Sequence, residues 1–245
     1  MANGAIYYLG GGYGDSQSTV YVLRRGANNW SRVQPMMQRR GFFSAAVIGH
    51  KIYVFGGENY RNGREQSILN QCEYLDTTYN ARNWEWCPSM LEARAKTAAV
   101  EYRGKIYVFG GLTKRGVSNR AEEYDPVTRR WYHLPGMPVA RLKPAAAVLN
   151  DLIYVTAGLD SNNRNCKSVD VFDPRRGMWR MSPYMPPTNL AHHTAPMIAY
   201  KNALYIAGGQ DNSRVEKFDP YNRRWTILPN SMFDPIVYAY ANVVI

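Results

Sequence analysis

Three arginines, Arg40, Arg94 and Arg141, recur about every 50 residues, each just before a run of small residues. A guanidinium can grip a carboxylate or phosphate through two parallel hydrogen bonds. The three are therefore expected to form a basic rim around a central opening, able to capture an acidic peptide segment. The longest insert of the chain adds Tyr60, Arg61, Asn62 and Arg64, and matching inserts further on carry Arg115 and Arg164. These nine residues are the candidate partner-binding set.

Other reactive side chains do not assemble into a site. His192 and His193 are adjacent, and neighbouring strand residues face opposite ways, so a shared metal is not expected. Gly10-Gly11-Gly12-Tyr13-Gly14 lacks the lysine and the following helix of a phosphate-binding loop. Cys72, Cys87 and Cys166 are odd in number, with no CxxC pair. Neither a zinc site nor a disulfide framework is expected, and scattered free thiols suit a reducing, cytoplasmic compartment. No catalytic residue, metal or cofactor is assigned, and the chain is read as non-enzymatic.

The elements that position these residues come from an internal repeat. An apolar strand ending in glycine recurs at Ile6–Gly11, Ile52–Gly57, Ile106–Gly111, Ile153–Gly158 and Leu204–Gly209, the fourth copy having Ala157 in place of one glycine. A variable loop follows each, then a strand ending in Leu23, Leu75, Tyr124, Phe172 or Phe218. Three of these strands run into Asp-Pro, at Asp125, Asp173 and Asp219, which favours a tight turn. A strand bearing Trp30, Trp84, Trp131, Trp179 or Trp225 comes next. A methionine follows (Met36, Met90, Met137, Met185, Met232), then a small-residue strand such as Ala145-Ala146-Ala147-Val148. Four short strands per unit cannot bury both faces alone, but copies stacked around an axis can. Alanine suits the crowded axis, and tryptophan the wide gaps outside.

The chain opens on the glycine strand and ends on Tyr240-Ala241-Asn242-Val243-Val244-Ile245, which reads as the small-residue strand missing from the first unit. It is expected to join that unit and close a five-bladed ring; six blades or an incomplete ring is the alternative. Residues 1–245 are read as one domain. The opening residues have neither a basic run nor a long apolar stretch, so no secretory leader is expected, and no segment is apolar for long enough to span a membrane.

Lys plus Arg number 30 against 19 acids, a net charge of +11. Such a balance suits an acidic partner or nucleic acid. Nucleic acid is set aside because most aromatics fall on repeat positions rather than beside basic grooves.

The glycine pair, the aromatic before the tryptophan, and the tryptophan itself resemble the Kelch repeat along essentially the whole chain. Tyr124 to Trp131, Phe172 to Trp179 and Phe218 to Trp225 keep its spacing; Leu23 to Trp30 keeps the spacing without the aromatic. The resemblance implies an all-β propeller that binds proteins. Two settings are common in that family. In one, the propeller is the substrate-recognition domain of a BTB-Kelch adaptor for a cullin-3 ubiquitin ligase, the ligase being recruited through a BTB domain not present in this sequence. In the other it binds actin or other cytoskeletal proteins. A cytoplasmic, cytoskeleton-associated location would fit either.

Overall fold

The structure, a computed structural model, describes residues 4–11, 15–62, 64–78, 83–180, 185–209 and 213–229. No helix occurs among them. Their strands form five main antiparallel sheets, four of them four-stranded, together with two short hairpins. Each sheet is one copy of the repeat, in the strand order read from the sequence. The third blade runs Ala98–Tyr102, Lys105–Phe109, Ala121–Asp125, Arg130–Leu134, and the second, fourth and fifth repeat that order.

Blade meets blade through apolar faces. One cluster joins Tyr53, Phe55 and Tyr74 of the second blade to Ile106, Val108 and Trp131 of the third. Another joins Tyr107 and Phe109 of the third to Ile153, Val155 and Phe172 of the fourth. The outer tryptophans also stitch the junctions. Their indole N–H groups donate backward to the segment before each blade: Trp84 to Gln34 O at 3.0 Å, Trp131 to Pro88 O at 2.7 Å, Trp179 to Pro135 O at 2.8 Å. Met36, Met90 and Met137 are buried against the glycine corners, and Met185 is buried in the cluster that holds Ala157.

Those corners need a left-handed backbone. Gly110 has φ +62°, and a Cβ placed there would sit 2.7 Å from Arg141 O and 2.9 Å from Met137 Cε. Ala157, at the same place in the fourth blade, adopts φ +61° despite its side chain. The Asp turns also form as expected: Asp125 accepts from the Val127 N–H at 2.9 Å and Asp219 from the Tyr221 N–H at 2.8 Å.

The first blade has only three strands among the described residues, Ile6–Gly11, Gln17–Leu23 and Ser31–Val33. The strand expected to complete it, residues 240–245, lies outside the described residues, as does Met232. Ile6, Tyr8 and Trp30 on its leading side are exposed, although their counterparts Ile106, Val108 and Trp131 are buried. On the trailing side of the fifth blade Ile198 and Tyr200 are exposed too.

The cysteine expectation is corrected. Cys72 and Cys87 face each other in the register of the third and outer strands of the second blade, and they form a disulfide with a Cα–Cα distance of 5.1 Å. Fifteen residues apart in sequence, they are brought together by the antiparallel pairing of the two strands. Only Cys166 is a free thiol; it is buried, and burial pushes its pKa up. The inference to a reducing compartment loses its basis.

Candidate functional site

The inner strands line a central cavity of about 930 Å³, walled largely by alanines such as Ala98, Ala145 and Ala147. At one mouth the chain turns into each inner strand through Phe42, Lys96, Lys143 and Thr194, all with left-handed φ. Backbone bonds step around this mouth, from Lys96 N to Phe42 O at 2.8 Å and from Lys143 N to Lys96 O at 2.9 Å.

Arg40, Arg94 and Arg141 do not form the rim expected of them. Each is completely buried. Arg40 donates to Gly56 O at 2.8 Å, Gln71 O at 3.0 Å and Glu73 Oε1 at 2.9 Å. Arg94 donates to Arg120 O at 3.0 Å and to the Glu122 carboxylate at 2.5 Å. Arg141 donates to Ala157 O at 3.0 Å and Asp170 Oδ2 at 2.8 Å. Each guanidinium is thus a spoke tying the entry turn to the glycine corner and third strand of its blade. Burial pulls Arg40 and Arg94 below the ordinary arginine range, while Glu73 and Glu122 oppose that shift. The sequence carries a signal for these pairs: an acid recurs inside the apolar third strand, at Glu73, Glu122, Asp170 and Glu216.

The two histidines part, although they lie on the turn before the inner strand and not within a strand. His192 bonds Gly208 O and Glu216, whereas His193 faces Asn165 Oδ1 at 3.1 Å. Among the described residues no group of three potential ligands could hold a metal.

The remaining candidates stand on arms beside the cavity mouth. Glu58–Arg61 and Arg64–Ile68 form a hairpin carrying exposed Arg61, Asn62 and Arg64, with Tyr60 half-buried. The hairpin is braced from the first blade. Ser16 Oγ donates to Glu58 O at 2.9 Å and accepts from Tyr60 N at 2.8 Å, and Asp15 accepts from Asn62 N. At its root, buried Glu58 pairs with Lys96 at 2.6 Å. Burial, helped by Glu58, pushes the Tyr60 hydroxyl up to about 12, so the ring stays neutral. Arg39, Asn59, Tyr60 and Arg61 line a surface cleft of about 320 Å³. Arg39, exposed beside buried Arg40, was absent from the candidate set.

Two shorter arms follow. Arg115 is exposed at the tip of the small hairpin made by Leu112–Thr113 and Gly116–Val117. Arg164 is exposed on a turn organised by Asp160, whose carboxylate accepts from the backbone N–H of Asn162 and Arg164, each at 2.8 Å. The structure thus separates the nine candidates into three buried spokes and six residues on three arms.

Radially repeated four-stranded sheets with glycine corners and outer tryptophans define a β-propeller-type repeat protein. The family model described as the KLHDC2/KLHL20/DRC7 Kelch-repeats domain matches residues 1–209, and the Kelch motif matches residues 192–232. The chain belongs to the Kelch-repeat family, whose propellers are generally non-enzymatic protein-interaction modules. It is 29% identical over 227 residues to human Kelch-like protein 23, covering 90% of this chain and 38% of that one. It is 26% identical over 256 residues to beta-scruin of Limulus polyphemus, covering 96% and 27%. Spermatocyte protein spe-26 of Caenorhabditis elegans is 28% identical over 131 residues, covering 52% and 23%. The chain thus spans well under half the length of these relatives. Among the described residues no helix is long and apolar enough to cross a membrane.

Proposed function

We propose that the chain is a non-catalytic recognition module that holds an acidic segment of a partner protein against the three arms. The braced hairpin supports this most directly. Arg61 and Arg64 are presented on backbone already tied to Ser16 and Asp15, so little ordering entropy remains to oppose binding. Arg39, Arg115 and Arg164 extend the positive surface, and a carboxylate-rich peptide is the complementary ligand. The cullin-3 adaptor role is the finer form of this reading, and it would run through a BTB domain outside this sequence. The family's cytoskeletal setting is the second form.

Two mixtures separate these readings from nucleic-acid binding. Fluorescence polarisation with acidic peptides should show binding that Arg61→Glu/Arg64→Glu weakens at least tenfold. Random oligonucleotides should bind weakly at physiological salt, with no base-independent affinity at low salt beyond that of a generic cation. Equal peptide affinity for the parent and the double variant would refute the hairpin's role. Co-sedimentation with filamentous actin decides between the two family settings.

A further inference from the structure

The fourth entry turn departs from the other three: His192 stands where Arg40, Arg94 and Arg141 stand. Its ring reproduces their two principal contacts. Nδ1 lies 2.7 Å from Gly208 O, the glycine-corner carbonyl, and Nε2 lies 2.8 Å from Glu216 Oε1, the third-strand acid. We infer that His192 is an imidazolium latch for the fifth blade, so that, among the blades whose entry turns are described, this one is attached in a pH-dependent way.

The protons can be placed by counting. A backbone carbonyl only accepts, so Nδ1 must donate to Gly208. Glu216 already accepts from Leu190 N at 2.7 Å, Asn189 N at 2.9 Å and Asn189 Nδ2 at 2.8 Å. Three N–H donors on its two oxygens favour the ionised carboxylate, and the oxygen of an ionised carboxylate that faces Nε2 can only accept. Nε2 must therefore donate as well, and only the cationic ring has two N–H groups. The acid is in the matching state: burial raises it, but the bonds from His192, Leu190 and Asn189 together hold it below the usual range.

Both residues are completely buried. Loss of one ring proton would set a nitrogen lone pair against an oxygen lone pair where no water can intervene. A guanidinium keeps its charge throughout the accessible range, and an imidazole does not. The two acceptors that face the ring match its cationic form, so the junction holds while both ring nitrogens carry protons and loosens once one of them leaves. Other charged groups are engaged elsewhere: the Lys167 ammonium bonds Asn189 O at 2.9 Å, and Arg141 is paired with Asp170 at the preceding junction. His193, on the same turn, faces Asn165. Arg214 lies just before the strand that carries Glu216. The same junction holds the other departure of the repeat, since Gly158 N, next to Ala157, donates to His192 O at 2.9 Å.

Hydrogen exchange on the whole chain, corrected for intrinsic rates, tests this between about pH 5.5 and 8.5. Opening of Val215–Asp219 should rise with pH, by up to about tenfold per unit over the titration, relative to Ala121–Asp125. His192→Arg should remove the difference, because it restores the arrangement of the other junctions. Should that variant misfold, Glu216→Gln should remove the pH dependence while opening the blade at every pH. Ring-nitrogen NMR of the parent gives an independent reading, with both nitrogens protonated at the acid end of that range. Parallel pH profiles for the two strands in the parent would overturn the latch, and so would a singly protonated ring at that end.

Discussion

Glu122→Gln should cost far more than its near-identical shape suggests. Glu122 is fully buried and takes two donors, the Arg94 guanidinium and the Leu91 N–H at 2.9 Å. An amide of the same size has one oxygen for those two sites and presents an NH₂ to the other. Arg94 would keep Arg120 O and a long 3.4 Å contact to Glu92, but its charge would remain buried without a close counter-ion. Breaking such a pair from one side costs about 3–5 kcal/mol. For a domain of this size, 1 kcal/mol moves Tm by about 2–4 °C, so a drop of about 6–20 °C is expected. Tryptophan fluorescence during thermal and urea unfolding measures it. Arg94→Met alone should cost a similar amount. The double variant should recover much of the loss, because a neutral pair leaves no stranded charge. Arg61→Glu, on the exposed arm, should stay within about 0.5 kcal/mol of the parent. A Tm for Glu122→Gln within about 2 °C of the parent, or losses that simply add in the double variant, would refute the spoke reasoning.

Reduction of the Cys72–Cys87 disulfide should lower stability by about 3 kcal/mol, the chain-entropy value for its 15-residue separation; melting with and without reductant, against Cys72→Ser, reads this. Gly110→Ala should cost about 2–3 kcal/mol, because its Cβ would meet Arg141 O and Met137 Cε, whereas Ala157→Gly should change stability by less than about 1 kcal/mol; urea midpoints compare them. At high pH, Tyr53 and Tyr74 are both pushed up to about 12, the first mainly by burial and the second mainly by its bond to Glu85. Protons are thus held more tightly in the folded state, so stability should fall as pH rises from about 10 towards 12. Absorbance at about 295 nm during alkaline titration should show these two hydroxyls ionising with unfolding.

The strands were legible because each repeat states the same pattern five times. Glycine corners and Asp turns are local consequences of backbone and side-chain shape, and they appear where the sequence puts them, as do the buried Trp84, Trp131 and Trp225. Arg94 was misplaced because its fate depends on Glu122, a residue 28 positions away. Nothing in the spacing of the arginines says whether the chain turns them toward water or toward a strand of the following blade. The disulfide was missed for a related reason. Cys72 and Cys87 are joined by the register of two strands, which the composition does not reveal. The arms were legible as inserts, but their bracing was not, since Ser16 and Asp15 belong to a different blade.

Internal repetition itself separates scaffold from site. A residue type that returns at the same place in unit after unit answers to a constraint that all units share, and the only constraint shared by every blade is the geometry of stacking. Arginine at three entry turns, with an acid facing it each time, satisfies that description and is found holding blades in shape. Recognition has to distinguish one partner from others, so it draws on what differs between units. The long hairpin with Tyr60 and Arg61, the short hairpin with Arg115 and the Asp-organised turn with Arg164 differ in length and in the residues they carry, yet they rise from equivalent places beside one mouth of the central cavity. Nominating the repeated arginines as the binding set inverted that logic. His192 then stands out for the same reason, because it breaks the repetition inside the scaffold, where a change of residue alters how a junction is held rather than what the surface binds.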